Sequence, residues 1–545
     1  MYTNTLKTFL LIFVLILTGC GKNSSEKKSQ TQSDNNSQTQ SDNNSQTQLH
    51  KPTLTLKGAS TVTLFRGDQF NDPGVLAQDS EDGDISSKIT IDAQPDTSKA
   101  GTYTIYYRVT DSDNLSTFIT RTVIVQSFNK VAPIDSNIEL GSEKNILYYV
   151  DPRPEENGLN RALRIDYAAM TYTEIAVDGI NPHSIDRAGD SDKFYIRTQN
   201  SKSFDVVNFK TKKVKTIDLI DHKPRAIGAY NAKYNLQLLS AKDMPVVDVI
   251  DVNTDEVIET LGNRETYDKT KLTSNAGAGS ATGHALWFDE DHFGLIDRVT
   301  PRILVFKVKK DDKGELTFTQ SDVVNLSTAL HAIERVQTPQ NEKDHNTFYA
   351  LGEGDIDKGT APYINELIFD PKKGTLHRGK KENGDDRITF LRQNKNLKGI
   401  KSSTHHTGIT PDGKYLVTPI TTGEVYFINR KTMEIEHTIE AKLGAAHVEF
   451  SISQGLAIIT NHFDEHLTFI DLKDFTVKKH LLISHHTFDP NEKHLLQPHF
   501  SYISEDGLYF YTFATQDGDF LKINLKTLEI EETLHTGGAP EQAHS

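Results

Sequence analysis

Histidine recurs in this chain at the head of short apolar segments, and neutral imidazole is the commonest metal ligand that a protein offers. The occurrences are Asn181-Pro182-His183, Asp221-His222-Lys223-Pro224, Gly283-His284, Leu330-His331, Thr404-His405-His406, Ala446-His447 and Pro498-His499. Histidine supplies only 21 of 545 residues, so its return at segment heads is a pattern rather than chance. If the segments converge, His183, His222, His284, His331, His405, His406, His447 and His499 would surround one point as metal ligands. Imidazoles without thiolate suit copper or zinc. Glu334, Glu353, Glu449, His462 and His466 are placed to orient those rings from behind. For any single ring the competing reading is a hydrogen bond to a turn backbone or a neighbouring aspartate.

Convergence requires repeats arranged around an axis. The stretch Thr404-His405-His406-Thr407-Gly408-Ile409-Thr410-Pro411-Asp412-Gly413-Lys414-Tyr415-Leu416-Val417 shows the unit: histidine, a short strand, an Asp-Gly turn and a second strand. Such strands continue to the C-terminus with a period of about 40 residues and almost no helical periodicity. One unit reads as strands at 406–410, 415–419, 424–429 and 434–440, and the next at 447–451, 456–461, 467–472 and 476–482. Four antiparallel strands at this period predict a seven- or eight-bladed β-propeller over residues 137–545. Seven units begin at the histidines, and an eighth would be shared between the two ends of the segment. Residues 539–544 would give its inner strand, and 145–150, 163–167 and 173–177 the outer three. Such closure removes free sheet edges. The first strand of each blade lines the central channel, so the histidines would meet at one mouth, together with donors from 353–357, 462–466 and 485–494.

The N-terminal part reads differently. Residues 1–19 hold a lysine followed by an apolar run too short to span a membrane but suited to a secretory signal. The run ends in Leu17-Thr18-Gly19-Cys20, which resembles the bacterial lipobox; that resemblance implies lipidation of Cys20 and a membrane anchor. Cys20 is the only cysteine, which excludes disulfides, thiolate zinc sites, iron–sulfur clusters and Cys-linked haem from the rest of the chain. Residues 20–50 are a Ser/Gln/Asn/Asp repeat that cannot form a core and reads as a tether. Residues 51–127 alternate apolar and polar between frequent turns, predicting a small β-sandwich. Its Phe70-Asn71-Asp72-Pro73-Gly74-Val75, Glu81-Asp82-Gly83-Asp84-Ile85 and Gly101-Thr102-Tyr103 segments resemble the turns of immunoglobulin-like modules of bacterial surface proteins. Asp79, Glu81, Asp82 and Asp84 could bind calcium, but Asp-Gly is also what a tight turn needs, and the turn reading is preferred.

The repeat copy Ile409-Thr410-Pro411-Asp412-Gly413-Lys414-Tyr415-Leu416 resembles bacterial surface-layer propeller repeats that end in a Tyr-Val-Thr-Asn-like strand. His405-His406 ahead of it is similar to the nitrous-oxide-reductase-like propellers, and that likeness implies a copper cluster held by channel-mouth histidines. The chain lacks the cysteine-bearing electron-transfer domain of that reductase; propellers of the copper-dependent thiocyanate dehydrogenase type work without one. A net charge of −15 with no basic tract argues against nucleic acid as a partner. Trp287 as the sole tryptophan disfavours a quinone-dependent dehydrogenase. The whole is an all-β chain, expected at the cell envelope on the outer membrane or cell surface. It would bind copper or zinc for metal handling or redox chemistry on a small anion. The alternative is a non-enzymatic scaffold for an envelope protein or polysaccharide.

Overall fold

The computed structural model describes residues 49–66, 70–97, 101–129, 145–152, 160–179, 181–189, 191–264, 274–276, 279–336, 342–392, 395–492 and 494–544. The signal segment, Cys20 and nearly all of the tether lie outside these residues. Among the described residues no helix is long and apolar enough to cross a membrane.

The N-terminal module is built from two sheets. Thr53–Leu56, Val75–Asp79 and Gly83–Asp84 form one, and Thr61–Arg66, Ser116–Asn129, Gly101–Thr110 and Thr90–Ile91 form the other. Alternation along Gly101–Thr110 sends Ile105, Tyr107 and Val109 into the core and their neighbours to solvent. The acidic residues at the Asp-Gly turn serve the backbone. Asp79 accepts from the amides of Glu81 and Asp82, Asp84 from that of Ser86, and Asp82 from the amide and hydroxyl of Ser112. These are turn and inter-strand bonds, as the turn reading expects.

From Ile146 to His544 the described strands form eight antiparallel propeller sheets and one separate two-stranded sheet, Asn396–Leu397 with Ile400–Lys401. The first blade closes the ring: Gln542–His544 pairs with Ile146–Asp151, followed by Asn160–Asp166 and Thr171–Val177. Inner strands of later blades start at Pro182, Pro224, Leu286, Leu330, Gly408, Ala445 and Tyr502. The described residues therefore form eight blades, with the shared blade assembled as its strand pattern predicts.

Position within a blade decides burial. Second strands such as Leu456–Asn461 are covered on both faces by neighbouring blades and are buried throughout, whereas the outermost strand Lys213–Asp218 is largely exposed. Each of eight apolar clusters joins two adjacent blades, including Tyr149 and Leu163 of the first against Phe513 and Phe520 of the eighth. The ring is thus held by side-chain burial between sheets, while hydrogen bonding is satisfied within each sheet. Arg161 fastens the closure: its guanidinium donates to Asp151, Glu174 and the carbonyls of Thr536 and Gly537.

Candidate metal centre

Short inner strands carry the site. In the second blade, Pro182 pairs with Thr198 and Ser184 with Arg197, leaving His183 as the extra residue of a β-bulge. Register shifts also lie between Ala445 and His447 and between Leu330 and Ile333, bracketing His331. A bulge re-aims the side chain it carries. His183 and His331 are thus carried by bulges and His447 directly follows one at Ala446, and all three rings line the same cavity.

There the imidazoles pack against one another. Ring centroids lie 4.2 Å apart for His331 and His405, 4.6 Å for His406 and His447, 4.5 Å for His462 and His499, and 5.4 Å for His284 and His331. His183 joins at the rim, 5.2 Å from His499. Two trios each bring three ring nitrogens within 4.8 Å of one another: His284, His331 and His406, and His405, His447 and His462. The rings border a cavity of about 420 Å³ that His183, Arg197 and Arg225 also line.

The hydrogen-bond pattern fixes which nitrogen is available. Nδ1 of His462 donates to the carbonyl of Gln497 at 2.9 Å, leaving its buried Nε2 without a partner. His406 Nδ1 donates to Glu334 at 2.7 Å, and His331 Nδ1 lies 3.6 Å from Glu353. Nδ1 of His405, Nε2 of His447 and Nδ1 of His499 are likewise buried and unpartnered. Burial, reinforced by the neighbouring rings, holds His284, His405, His447 and His499 well below the ordinary imidazole value. Burial also lowers His331 to about 3 and His462 to about 4. These six rings are therefore neutral at physiological pH.

Several expected positions change. His222 is not at the mouth: its Nε2 meets Asp248 at 2.7 Å and its Nδ1 meets Asp221 at 2.8 Å. With both nitrogens committed to carboxylates, the ring has no lone pair for a metal. Asp248 also accepts from Thr260, so His222 is the buried core of a hydrogen-bonded strut within the third blade. His462, expected behind the ligands, is a member of a trio. His466 turns to Asp464 at 3.0 Å rather than supporting a channel imidazole. Glu449 lines a second cavity with Glu334 and Arg335 and has no hydrogen bond to any ring among the described residues, and burial pushes its carboxyl up to about 7. His485 and His486 turn instead to Asp517, His485 through its amide and His486 through its ring.

Sequence reasoning missed two arginines. In the third blade the bulged residue, between Pro224 and Ala226, is Arg225, and it occupies the place that His183 takes in the second. The shared signal was the dipeptide: Pro182-His183, Pro224-Arg225 and Pro498-His499. Arg197, at the end of a second strand, had no local signal.

His222→Asn is expected to lower stability by about 1–3 kcal/mol, because Asp248 loses a buried partner, while metal content is unchanged. Burial opposes the charge on His222, but the bonds to Asp248 and Asp221 outweigh it and raise its pKa above 6.5. The wild-type contribution is therefore fully present below pH 6.5 and is lost as pH rises through the folded value. Thermal unfolding of both proteins between pH 5.5 and pH 9 should show the gap narrowing upward; a gap that widens would contradict the strut.

Comparison with known proteins agrees with this architecture. Residues 54–125 match the family described as bacterial surface protein, Ig-like domain. That match points to a cell-surface or envelope protein. The solved structure of dihydro-heme d1 dehydrogenase NirN in complex with DHE is similar with a TM-score of 0.52 at 10% identity, over 74% of this chain and 75% of that one. This likeness shows the propeller fold alone. AztD from Citrobacter koseri (TM-score 0.47, 10% identity, 73% and 96% coverage) is a more distant match. So is a putative 6-phosphogluconolactonase from Bacteroides fragilis (0.43, 11%, 74% and 98%). No curated protein matches the chain.

Proposed function

We propose that the propeller binds transition-metal ions, copper or zinc, at the histidine-lined mouth, and that it does so at the cell envelope for metal handling or metal-dependent redox chemistry. The observation that carries this reading is the set of orphaned nitrogens. His405, His447, His462 and His499 each bury one ring nitrogen without a partner; the first three make up one trio, and His284, His331 and His406 make up a second whose ring nitrogens also lie within 4.8 Å of one another. A buried polar atom left unpaired costs about 1–3 kcal/mol, and a bound cation would convert that cost into ligation. Imidazole-only donors favour copper or zinc over magnesium or calcium, which take oxygen. His284, His331 and His406 would hold one ion and His405, His447 and His462 another, with His499 and His183 alongside. When bound, such ions supply Lewis acidity and, for copper, electron transfer. Glu334 and Glu353 would orient His406 and His331 through Nδ1, leaving Nε2 for the metal.

Elemental mass spectrometry on residues 49–545, purified without a histidine tag, tests the reading. About two equivalents of copper or zinc are expected, one for each trio. Protein that is metal-free as isolated and takes up neither ion would refute it. Glu334→Gln should weaken metal affinity about 10–100-fold, read by competition with a chelator. An unchanged affinity would show that the Glu334 bond is structural only.

A further inference from the structure

The cavity is lined by cations as well as by imidazoles. Arg197 and Arg225 both line it, and Lys242 joins them through a 2.9 Å bond to Gln199. Arg197 is only 3% exposed, and its Nε is buried without a hydrogen-bond partner. Arg225 stands on its bulge where the second blade presents His183. Two guanidiniums held this close oppose each other: burial and then the charge of Arg225 push Arg197 well below its ordinary value. The same charge, after burial, helps to depress His284 and His331, which places Arg225 beside the first trio.

Two carboxyls lie near these cations. Asp186 lines the cavity, but burial pushes its carboxyl well above the ordinary range, toward the neutral acid. Glu541 is 3.4 Å from His183 Nδ1 and is shared with that ring, though it also attracts Arg197. An isolated buried cation is costly unless it is paired and hydrogen-bonded.

We propose that Arg197 and Arg225 form a binding site for a small oxyanion, a carboxylate or an inorganic oxoanion, held against the His284, His331 and His406 trio. Guanidinium presents a planar fork that suits oxygen pairs of carboxylates and oxoanions, and is less matched to an anion with a single donor atom. The cavity of about 420 Å³, shared with the rings, has room for such an anion beside the trio. The inference rests on the metal reading for what the anion faces, but the arginine pair stands without it.

The test is isothermal titration of inorganic sulfate at constant ionic strength into protein covering residues 49–545, with metal content measured on the same samples. Both metal-loaded and chelator-stripped protein are titrated. Wild type is compared with Arg225→His, which installs the residue of the second blade and should fold, and with Arg197→Gln. Saturable binding with one site is expected for wild type, and at least a tenfold loss in each folded variant. Metal-containing wild type without saturable sulfate binding overturns this inference and leaves the metal reading intact. Wild type that is metal-free as isolated and takes up neither ion, yet binds sulfate and loses it in Arg225→His, overturns the metal reading and supports the anion site. Equal binding in wild type and both variants would place the sulfate elsewhere and overturn the site.

Discussion

His405→Ala combined with His447→Ala is expected to abolish ligation by the second trio and to cut total metal to one equivalent or less. Both substitutions remove rings whose buried nitrogens have no protein partner, and His447 also stacks on His406 at 4.6 Å, so the first trio loses a wall. The loss should appear in stability as well as in content. An ion that binds the folded chain stabilises it by about 4 kcal/mol at a thousandfold excess over its dissociation constant, so wild type should show a large rise in Tm on adding copper or zinc. The double variant should show little. Without metal, its own Tm should stay near that of stripped wild type, because the lost packing is offset by removing two unpaired polar atoms. Unchanged metal content and an unchanged thermal shift in a folded double variant would sink the assignment of this trio.

The sequence carried much of this arrangement, for identifiable physical reasons. A channel-lining strand is short and repeats its position in each blade, so one residue type at its head becomes a visible period. That is why His183, His284, His331, His405, His406, His447 and His499 could be picked out before any coordinates. The third blade defeated the same logic because two residues compete for the head of its inner strand. His222 matched by type, but the chain continues through Pro224-Arg225, and the bulge puts Arg225 in the channel while His222 folds back onto Asp248. His462 was misjudged because its orientation is set by Gln497, a residue from the segment leading into the next blade. Arg197 was invisible because its burial comes from the ring closing around it, which no local pattern records. Blade number was legible only as seven or eight, since the count depends on whether 542–544 pairs with 146–151, a contact between segments almost 400 residues apart.

Arg298→Met is expected to destabilise the propeller by about 3–5 kcal/mol, because it strips the counter-charge from a carboxylate that cannot reach water. Glu353 is fully buried, and Arg298 holds both of its oxygens at 2.8 and 2.7 Å. The other arm of the guanidinium donates to the carbonyl and hydroxyl of Ser280 at 2.7 and 2.9 Å. The pair thus ties the loop that follows the second strand of the fourth blade to the same loop of the fifth. Burial works against ionisation of Glu353, but the charge of Arg298 and the nearby His331 prevail and keep its carboxyl well below the ordinary 4.5. Its stabilising contribution is therefore fully present above pH 4.5 and is lost as pH falls toward the folded value. Arg298→Met should accordingly lose most at neutral pH and least in acid. A second substitution distinguishes a lost pair from a lost shape: Glu353→Leu on the Arg298→Met background should recover much of the stability, since replacing both partners by apolar groups removes the stranded charge. The two singles and the double, followed by denaturant unfolding, form a double-mutant cycle. Additive losses would mean that the pair is not coupled. A recovered fold with weakened metal affinity would show that Glu353 orients His331 separately from its part in holding the two blades together.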